Sequence, residues 1–414
     1  MASVTFFPAK LSGNAMVPPS KSESHRALLL AALGRDECRL TGFPPPLCDD
    51  TLAMISGITA LGAKVRHQGN TLHITPATEQ ALPMAECHVH ACAAALRMLI
   101  PAFLLRGQSV RFQMEPSLFR RPLDAFEPLV KELGASMIRT KGAPFCTVEL
   151  SGQLPAGKYT IDGTRSSQFA SGMLMALAHA GKPSRLTVTG PLVSRPYLDM
   201  TLRLMERFHL SYTEISAGVF ELSPSLGRSP LEIAVSGDWS QGALLLCINA
   251  LGGNVRIENL VQDESCTQGD ARVVEILKRM KDGNAISIDC TDIPDLAPIL
   301  ALTCSQLRGT SMLTGVSRLR LKESDRLSAT QELLGKLGVS VTVSTDSDTL
   351  CIHGPAALHG GFEADARNDH RLVMLLAAAS TLCGDPITVH GAECIRKSWP
   401  GFLETWRHLG GKAE

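Results

Sequence analysis

The hydrophobic pattern of the chain is dominated by one Ala- and Leu-rich segment that recurs six times and ends each time in glycine. Apolar runs of this length predict buried helices, and we call them the six core helices. A closing glycine is typical of a helix C-terminus, because glycine adopts positive φ without strain. The closing glycines lie 73, 74, 71, 57 and 75 residues apart, at Gly34, Gly107, Gly181, Gly252, Gly309 and Gly384.

A short β-branched segment follows each core helix and predicts a strand, as in SVRFQ at 109–113. A second helix comes next, often ending on Leu-Gly, and most copies then close with a hairpin such as 339–352. Chance similarity of common Ala/Leu helices is the alternative, but two independent markers share one period. The sequence therefore predicts six βαβαββ units of about 70 residues each.

Six units divide most naturally into three and three. A chain of 414 residues is also too long for one ordinary core, so we expect an α/β protein of two lobes. Turn residues between 225 and 240 favour a crossover there. The predicted lobes are residues 19–235, and residues 1–18 together with 236–414.

Composition narrows the class of protein. Forty basic and forty acidic side chains cancel, which argues against a general nucleic-acid surface. Twelve cysteines without a CxxC pair indicate reduced thiols. No leader pattern is visible, and no apolar run approaches the roughly 18 residues that a membrane span needs. We expect a soluble cytoplasmic protein, monomeric by default.

Candidate chemistry lies in the residues just before the core helices, which we call the helix starts. They are 20–26, 88–97, 164–168, 236–241, 291–295 and 367–371, and five of the six are rich in Ser, Thr, Asp or Asn. Ordinary N-capping explains one such residue per helix. It does not explain Lys21, Arg26 and Arg371, because cations are disfavoured at the positive end of a helix dipole. A bound anion would account for them.

Further basic residues lie in loops, in LFRRPLDAF (118–126), RLRLKESDRL (318–327) and CIRKSWPGF (394–402). Three such loops in a neutral protein favour an anionic substrate over mere solvation. The mixed charges of KESDR suit proton transfer beside charge stabilisation. Asp295 is either a plain helix cap or a partly desolvated base. P-loop, GxGxxG, HExxH and GxSxG motifs are absent, so nucleotide cofactors and hydrolase triads have no support.

These motifs, in this order, resemble the 5-enolpyruvylshikimate-3-phosphate (EPSP) synthase family from about residue 10 to residue 405. The segments that carry the resemblance are SKSESHR, SSQFASG, VSRPYLDM, DIPDLAP, KESDR, NDHR and RKSWPGF. The resemblance implies a two-lobed inside-out α/β barrel with three βαβαββ units per lobe. It also implies transfer of the enolpyruvyl group of phosphoenolpyruvate to the 5-hydroxyl of shikimate 3-phosphate, by addition and elimination. No metal or organic cofactor is implied.

Site residues follow from the resemblance by motif. Those implied to bind shikimate 3-phosphate are Lys21, Ser22, Arg26, Ser166, Ser167, Gln168, Ser194, Asp295 and Lys322. Those implied to bind phosphoenolpyruvate are Lys21, Ala93, Arg121, Gln168, Arg326, Arg371 and Lys397. Asp295 would accept the hydroxyl proton, and Glu323, with Lys21, would manage the proton at the methylene carbon.

The second helix start departs from the family pattern. Family members carry a hydroxyl and a glycine where this chain has Ala91-Cys92-Ala93-Ala94. The resemblance implies that an alanine methyl there excludes the inhibitor glyphosate more than the substrate, so we expect reduced glyphosate sensitivity. Alternation in a strand would also place His88, His90 and Cys92 on one face, a possible zinc or copper site. A metal-free edge strand is the favoured interpretation.

Two other functions compete with this one. The UDP-N-acetylglucosamine enolpyruvyl transferase has the same architecture, but its loop cysteine is missing from the EPSLFR segment before Arg121. A non-catalytic anion-binding relative is the other alternative, supported only by the Ala-rich second helix start.

Overall fold

The computed structural model describes residues 3–77, 84–224, 231–263 and 266–414. The chain forms two compact units. One comprises Pro19–Ser236, and the other combines the N-terminal segment up to Pro18 with Gly237–Glu414. The predicted crossover region, 225–240, contains the second of these breaks, although its residues 225–230 lie outside the described part.

The strands are short and distributed over the whole described chain. They are β1 Ser3–Phe7, β2 Ser12–Ala15, β3 Cys38–Thr41, β4 Lys64–Gln68, β5 Thr71–Thr75, β6 Ala85–His90, β7 Val110–Met114, β8 Ser136–Thr140, β9 Cys146–Ser151, β10 Lys158–Asp162, β11 Ser184–Thr189, β12 Tyr212–Ser216, β13 Val219–Leu222, β14 Glu232–Ala234, β15 Asn254–Ile257, β16 Ser287–Asp289, β17 Gly309–Thr314, β18 Ser340–Val343, β19 Thr349–Gly354, β20 Phe362–Asp365, β21 Ile387–His390 and β22 Lys412–Ala413.

Helices separate the strands in the order that the repeat predicts. They are α1 Lys21–Leu33, α2 Asp49–Ala60, α3 Ala93–Arg106, α4 Pro116–Phe119, α5 Glu127–Glu132, α6 Ser167–Leu177, α7 Arg195–Arg207, α8 Trp239–Ala250, α9 Val273–Arg279, α10 Ala297–Cys304, α11 Arg326–Lys336, α12 His370–Ser380 and α13 Phe402–His408. Short 3-10 turns lie at Asp124–Phe126, Gly269–Arg272, Pro294–Leu296, Ser317–Leu321 and Ala392–Lys397. The six core helices are α1, α3, α6, α8, α10 and α12, and a strand follows each of them.

Three four-stranded sheets build the unit Pro19–Ser236, in the orders β14-β3-β5-β4, β6-β7-β9-β8 and β10-β11-β13-β12. In each sheet the first two strands run parallel and a hairpin adds two antiparallel strands. Parallel neighbours need a crossover connection. The core helices α3 and α6 supply it in the second and third of these sheets, whereas β14 joins β3 from a distant part of the chain. This is the βαβαββ unit.

The other unit repeats the pattern with two modifications. Its sheets have the orders β16-β17-β19-β18, β20-β21-β1-β22 and β15-β2. In the sixth copy, the N-terminal strand β1 and the C-terminal strand β22 occupy the places that the two hairpin strands take in the other copies. The fourth copy has only a two-stranded sheet, because residues 280–286 connect α9 to β16 without a hairpin. That missing hairpin accounts for the short 57-residue interval between Gly252 and Gly309.

The first strands of copies one and four are exchanged. Strand β2 precedes α1 in the chain but pairs with β15, with Asn254 opposite Ser12. Strand β14 precedes α8 but pairs with β3, with Glu232 opposite Arg39. The chain therefore crosses twice between its two units. The unit Pro19–Ser236 is one continuous segment, whereas the other unit is assembled from two segments.

The core helices lie inside each unit, and the sheets cover them. In α1 every residue from Glu23 to Leu33 is buried, and α3 packs on both α1 and α6. Gly172 permits the close approach of α6 to α3, since a Cβ there would lie 2.8 Å from the Arg97 carbonyl oxygen. The strands, in contrast, alternate buried and half-buried residues, as in Cys146–Ser151.

The predicted role of the closing glycines is correct at only some positions. Gly107 and Gly252 end α3 and α8 with positive φ, as predicted. Gly181 and Gly309 also have positive φ but lie beyond the caps of α6 and α10, and Gly309 is the first residue of β17. Gly34 has φ −66°, and Gly384 is also outside the left-handed region. The helix ends there without a left-handed residue, so the glycines at those two copies are not required by backbone geometry.

Candidate active site

The sequence-predicted site residues form two clusters, one in each unit. Nine lie in the unit Pro19–Ser236, namely Lys21, Ser22, Arg26, Ala93, Arg121, Ser166, Ser167, Gln168 and Ser194. Six lie in the other unit, namely Asp295, Lys322, Glu323, Arg326, Arg371 and Lys397.

Lys21 opens α1 as its first residue, after the cap Ser20, which accepts a hydrogen bond from the Glu23 amide at 3.4 Å. The Lys21 ammonium lies 3.0 Å from a carboxylate oxygen of Asp50 in the first turn of α2. Its side chain is 19% exposed, so the charge is reachable but mostly shielded from water. Ser22 is half-buried beside it.

Arg26 is buried, with 1% of its surface exposed. Its guanidinium donates to the hydroxyls of Thr201 at 2.6 Å and Ser171 at 3.2 Å. It also donates to the backbone oxygens of Ser22 at 2.8 Å and Tyr197 at 3.0 Å. The side chain thus joins α1 to α6 and α7, a structural role that the sequence motif did not indicate. Its ligand contact remains a prediction.

The start of α6 presents the predicted Ser-Ser-Gln. The Ser166 hydroxyl caps the helix by accepting from the Gln168 amide at 3.3 Å, and Ser167 is buried. Ser194 precedes α7 with φ 56°, a left-handed conformation that is uncommon outside glycine and often marks functional sites. Arg121 follows α4 and is half-buried, while its neighbour Arg120 is exposed.

Arg97 connects the second and third helix starts. It donates from one terminal nitrogen to the Gln168 side-chain oxygen and from the other to the Pro122 carbonyl, both at 3.0 Å. Its guanidinium also lies 4.6 Å from the centre of the Phe169 ring. Arg97 therefore fixes the predicted ligands Gln168 and, through Pro122, Arg121. The signal in the sequence was the arginine that ends the second helix start.

The proposed face of His88, His90 and Cys92 is wrong. His88 and His90 are exposed, but the strand is irregular between them and His90 has φ 47°. Cys92 lies beyond the strand and is buried, where its sulfur caps α3 by accepting from the Ala95 amide at 3.4 Å. The described residues contain no group of three His, Cys, Asp or Glu side chains that could hold a metal. Ala93, the first residue of α3, is 4% exposed.

Asp295 is the centre of the second cluster. It lies in the 3-10 turn before α10 rather than at a helix cap. One of its oxygens accepts from Arg326 at 2.9 Å and from Lys322 at 3.2 Å, and the other lies 4.0 Å from Arg371. Burial alone would raise the pKa of Asp295, but these three cations outweigh it and hold the pKa well below its usual range.

Arg326 organises this cluster from the first residue of α11. It is 1% exposed and binds Asp369 through two nitrogens at 2.9 and 3.1 Å, and Glu323 at 2.6 Å. Burial opposes the charge, but Asp369, Glu323 and Asp295 together raise the pKa of Arg326 above its ordinary value. Asp369 also caps α12 by accepting from the Arg371 amide at 3.0 Å. Sequence reasoning missed Asp369 as the partner of Arg326, although it lies inside the NDHR motif.

The other two predicted cationic ligands of this unit, Arg371 and Lys397, are buried. Arg371 is 7% exposed and donates to the Ser240 backbone oxygen at 3.0 Å. Lys397, also 7% exposed, donates to the Asn368 backbone oxygen at 3.1 Å. Buried cations beside helix N-termini are suited to binding phosphate and carboxylate groups. Carboxylates next to them can accept and donate protons.

Such a combination of fold and site defines a class of two-domain α/β proteins that bind small polyanions. The match to the family described as EPSP synthase (3-phosphoshikimate 1-carboxyvinyltransferase) covers residues 7–406. The chain belongs to this family. A Clostridium kluyveri 3-phosphoshikimate 1-carboxyvinyltransferase is 33% identical over 429 residues, covering 100% of this chain and 99% of the relative. A Clostridium beijerinckii protein of the same name is 32% identical, covering 99% and 98%.

Solved structures share the fold. The EPSP synthase of Acinetobacter baumannii superposes with a TM-score of 0.79 at 22% identity, covering 100% of both chains. The enolpyruvyl transferase NikO of Streptomyces tendae gives 0.74 at 16% identity, covering 100% of this chain and 98% of that one. The predicted fold class and family are confirmed. No helix within the described ranges has the length and apolar character to cross a membrane.

Proposed function

We propose that the protein transfers the enolpyruvyl group of phosphoenolpyruvate to the 5-hydroxyl of shikimate 3-phosphate and releases phosphate. The observation that supports this most is the position of Asp295, a carboxylate held among Lys322, Arg326 and Arg371. A second carboxylate, Glu323, also pairs with Arg326. A reaction between two polyanions needs cations that neutralise charge and carboxylates that move protons, and this cluster provides both.

The proposed reaction proceeds by addition and elimination. Asp295 accepts the proton of the 5-hydroxyl group, and the hydroxyl oxygen forms a bond to the central carbon of phosphoenolpyruvate. Glu323, with Lys21, delivers a proton to the methylene carbon, which gives a tetrahedral ketal. Glu323 then takes a proton back from the methyl group of the ketal while the bond to the phosphate oxygen breaks, so the enol ether forms and phosphate leaves.

Lys322, Arg326 and Arg371 stabilise the charged form of Asp295 and hold its pKa low, which makes the carboxylate a weak base. Substrate anions that engage Lys322, Arg326 or Arg371 would take part of this stabilisation away. The pKa of Asp295 would then rise towards the range of a useful general base. Ligand binding would thus activate the base.

The remaining site residues are assigned by motif. Shikimate 3-phosphate binding is proposed for Lys21, Ser22, Arg26, Ser166, Ser167, Gln168, Ser194, Asp295 and Lys322. Phosphoenolpyruvate binding is proposed for Lys21, Ala93, Arg121, Gln168, Arg326, Arg371 and Lys397. Arg26 has a structural role besides the proposed ligand contact, because its guanidinium also donates hydrogen bonds to oxygens of α1, α6 and α7.

Phosphate release from shikimate 3-phosphate and phosphoenolpyruvate tests the proposal, with Glu323→Gln as the matched variant that removes one proton donor and keeps its shape. We expect turnover by the natural chain and a large loss of kcat in the variant. Turnover only with UDP-N-acetylglucosamine would instead favour the related transferase. Tight binding of both ligands without turnover would favour a non-catalytic protein.

A further inference from the structure

The fourth helix start, before α8, contacts the candidate phosphoenolpyruvate ligand Arg371. One terminal nitrogen of Arg371 donates to the Ser240 backbone oxygen at 3.0 Å and lies 3.5 Å from the Gln241 side-chain oxygen. Gln241 is 1% exposed, so its oxygen is shielded from bulk water. From sequence, this helix start had no role beyond capping.

The other end of the Arg371 guanidinium is not held by these contacts. Its Nε is buried and has no hydrogen-bond partner within the described residues. Its other terminal nitrogen lies 4.0 Å from Asp295. The contacts with Ser240 and Gln241 therefore occupy one end of the guanidinium and orient the opposite edge. Orientation matters for a planar fork, because carboxylate and phosphate are bound through two parallel hydrogen bonds.

Two buried side chains, Gln268 and Asp270, hydrogen-bond to the fourth helix start in turn. The Ser240 hydroxyl donates a short hydrogen bond to Asp270, which is 2% exposed. Gln268 from the same loop accepts from the Trp239 amide and donates to the Gly237 carbonyl, each at 2.9 Å. Asp238 caps the helix through the Gln241 amide at 3.1 Å. Burial raises the pKa of Asp270 to about 7, because the charged carboxylate is disfavoured at this position.

We propose that Gln241 and Asp270 are positioning residues for Arg371, Gln241 by direct contact and Asp270 through Ser240. The inference rests on the proposed function only in assigning Arg371 to phosphoenolpyruvate. Neither residue touches a reacting atom. Loss of either one releases the guanidinium from its orientation and weakens phosphoenolpyruvate binding without affecting shikimate 3-phosphate.

Kinetics of three variants test the proposal. Gln241→Met removes the oxygen at similar volume, and Asp270→Ala removes the acceptor for Ser240. Each should raise KM for phosphoenolpyruvate about tenfold, the effect of losing one hydrogen bond to a charged group, and leave KM for shikimate 3-phosphate within about twofold. Asp270→Asn keeps an oxygen that accepts from Ser240 and should restore KM for phosphoenolpyruvate.

Asn249→Ala is the matched control on the same helix. Its side chain makes two 2.7 Å hydrogen bonds to the Val255 backbone at the opposite end of α8. This variant should lower stability and leave the ratio of the two KM values unchanged. An equal rise of both KM values in Gln241→Met, or failure of Asp270→Asn to rescue, would overturn the proposal.

Crystal structures separate this inference from the proposed function. The Arg371 guanidinium should be displaced or disordered in Gln241→Met and in place in the natural chain, whether or not the protein turns over these substrates. An unmoved Arg371 in both Gln241→Met and Asp270→Ala refutes positioning. Absence of turnover by the natural chain refutes only the proposed function.

Discussion

Replacement of Arg26 by lysine distinguishes a structural cation from a ligand-binding one. Arg26 is 1% exposed and donates four hydrogen bonds to protein acceptors. Lysine keeps the charge but has no planar fork, and its single ammonium cannot reach acceptors on α1, α6 and α7 together. At least two bonds should be lost, and hydrogen bonds to charged groups contribute about 1.5–3 kcal/mol each. We expect Arg26→Lys to lower the free energy of unfolding by about 3 kcal/mol or more.

The lysine should also be less reliably charged. Burial lowers the pKa of Arg26 to about 10. The ordinary pKa of lysine is already about 10.4, so the same burial would bring it nearer to neutral pH. The destabilisation should therefore depend on pH, whereas arginine stays charged throughout the physiological range.

Urea unfolding followed by circular dichroism measures the effect. All three tryptophans, Trp239, Trp399 and Trp406, lie outside the unit Pro19–Ser236, so tryptophan fluorescence identifies the transition of the other unit. Arg39→Lys is the control, because the Arg39–Glu232 pair is about half exposed and should contribute less than about 1 kcal/mol. An Arg26→Lys unfolding free energy within about 1 kcal/mol of the natural chain would contradict the reasoning.

Three further predictions concern charge and shape at the two clusters. Asp270, with its pKa raised to about 7 in the folded state, holds a proton there that the unfolded state releases near pH 4. Its contribution to stability therefore falls as pH rises from about 4 to 7. The free energy of unfolding of Asp270→Asn, relative to that of the natural chain, should therefore be larger at pH 8 than at pH 5 in urea titrations. An equal difference at both pH values would argue against a raised pKa. Lys322→Met removes a cation that lowers the pKa of Asp295. The acidic limb of the profile of kcat/KM against pH should therefore move to higher pH. An unmoved limb would exclude Asp295 as the titrating base. Ala93→Gly removes one methyl group at the start of α3 and should strengthen glyphosate inhibition about tenfold or more, with a smaller change in KM for phosphoenolpyruvate; equal inhibition of both proteins would show that the methyl does not restrict the inhibitor.

Much of the architecture could be predicted from the sequence because it is written in local periodicity. The core helices, the strands that follow them and the second helices each depend on residues within one short segment. Lys21 and Arg371 were predicted to bind anions because cations are unusual at a helix N-terminus. Capping residues such as Ser20, Ser166 and Asp369 were expected for the same local reason, and each accepts the predicted kind of backbone hydrogen bond.

Local patterns failed where the partner of a group lies far along the chain. Cys92 was placed on a strand with His88 and His90, yet the strand ends at His90 and the sulfur caps the next helix. Arg97 reads as an ordinary helical residue until it meets Gln168, 71 residues away. The fourth helix start looked like a simple cap, because Arg371 contacts it from 131 residues away.

The sequence by itself determined the repeat, its period, the residues that begin each core helix and the excess of cations among them. Tertiary structure decided which strand joins which sheet. Strand β2 precedes α1 in the chain but pairs with β15, which follows α8, and β14 precedes α8 but pairs with β3, which follows α1. Short strands of similar composition can pair with many edges, so pairing energy alone does not select the partner. Selection comes from the packing of whole units, where each sheet must cover its own buried helices, and that is a property of the folded chain rather than of any segment.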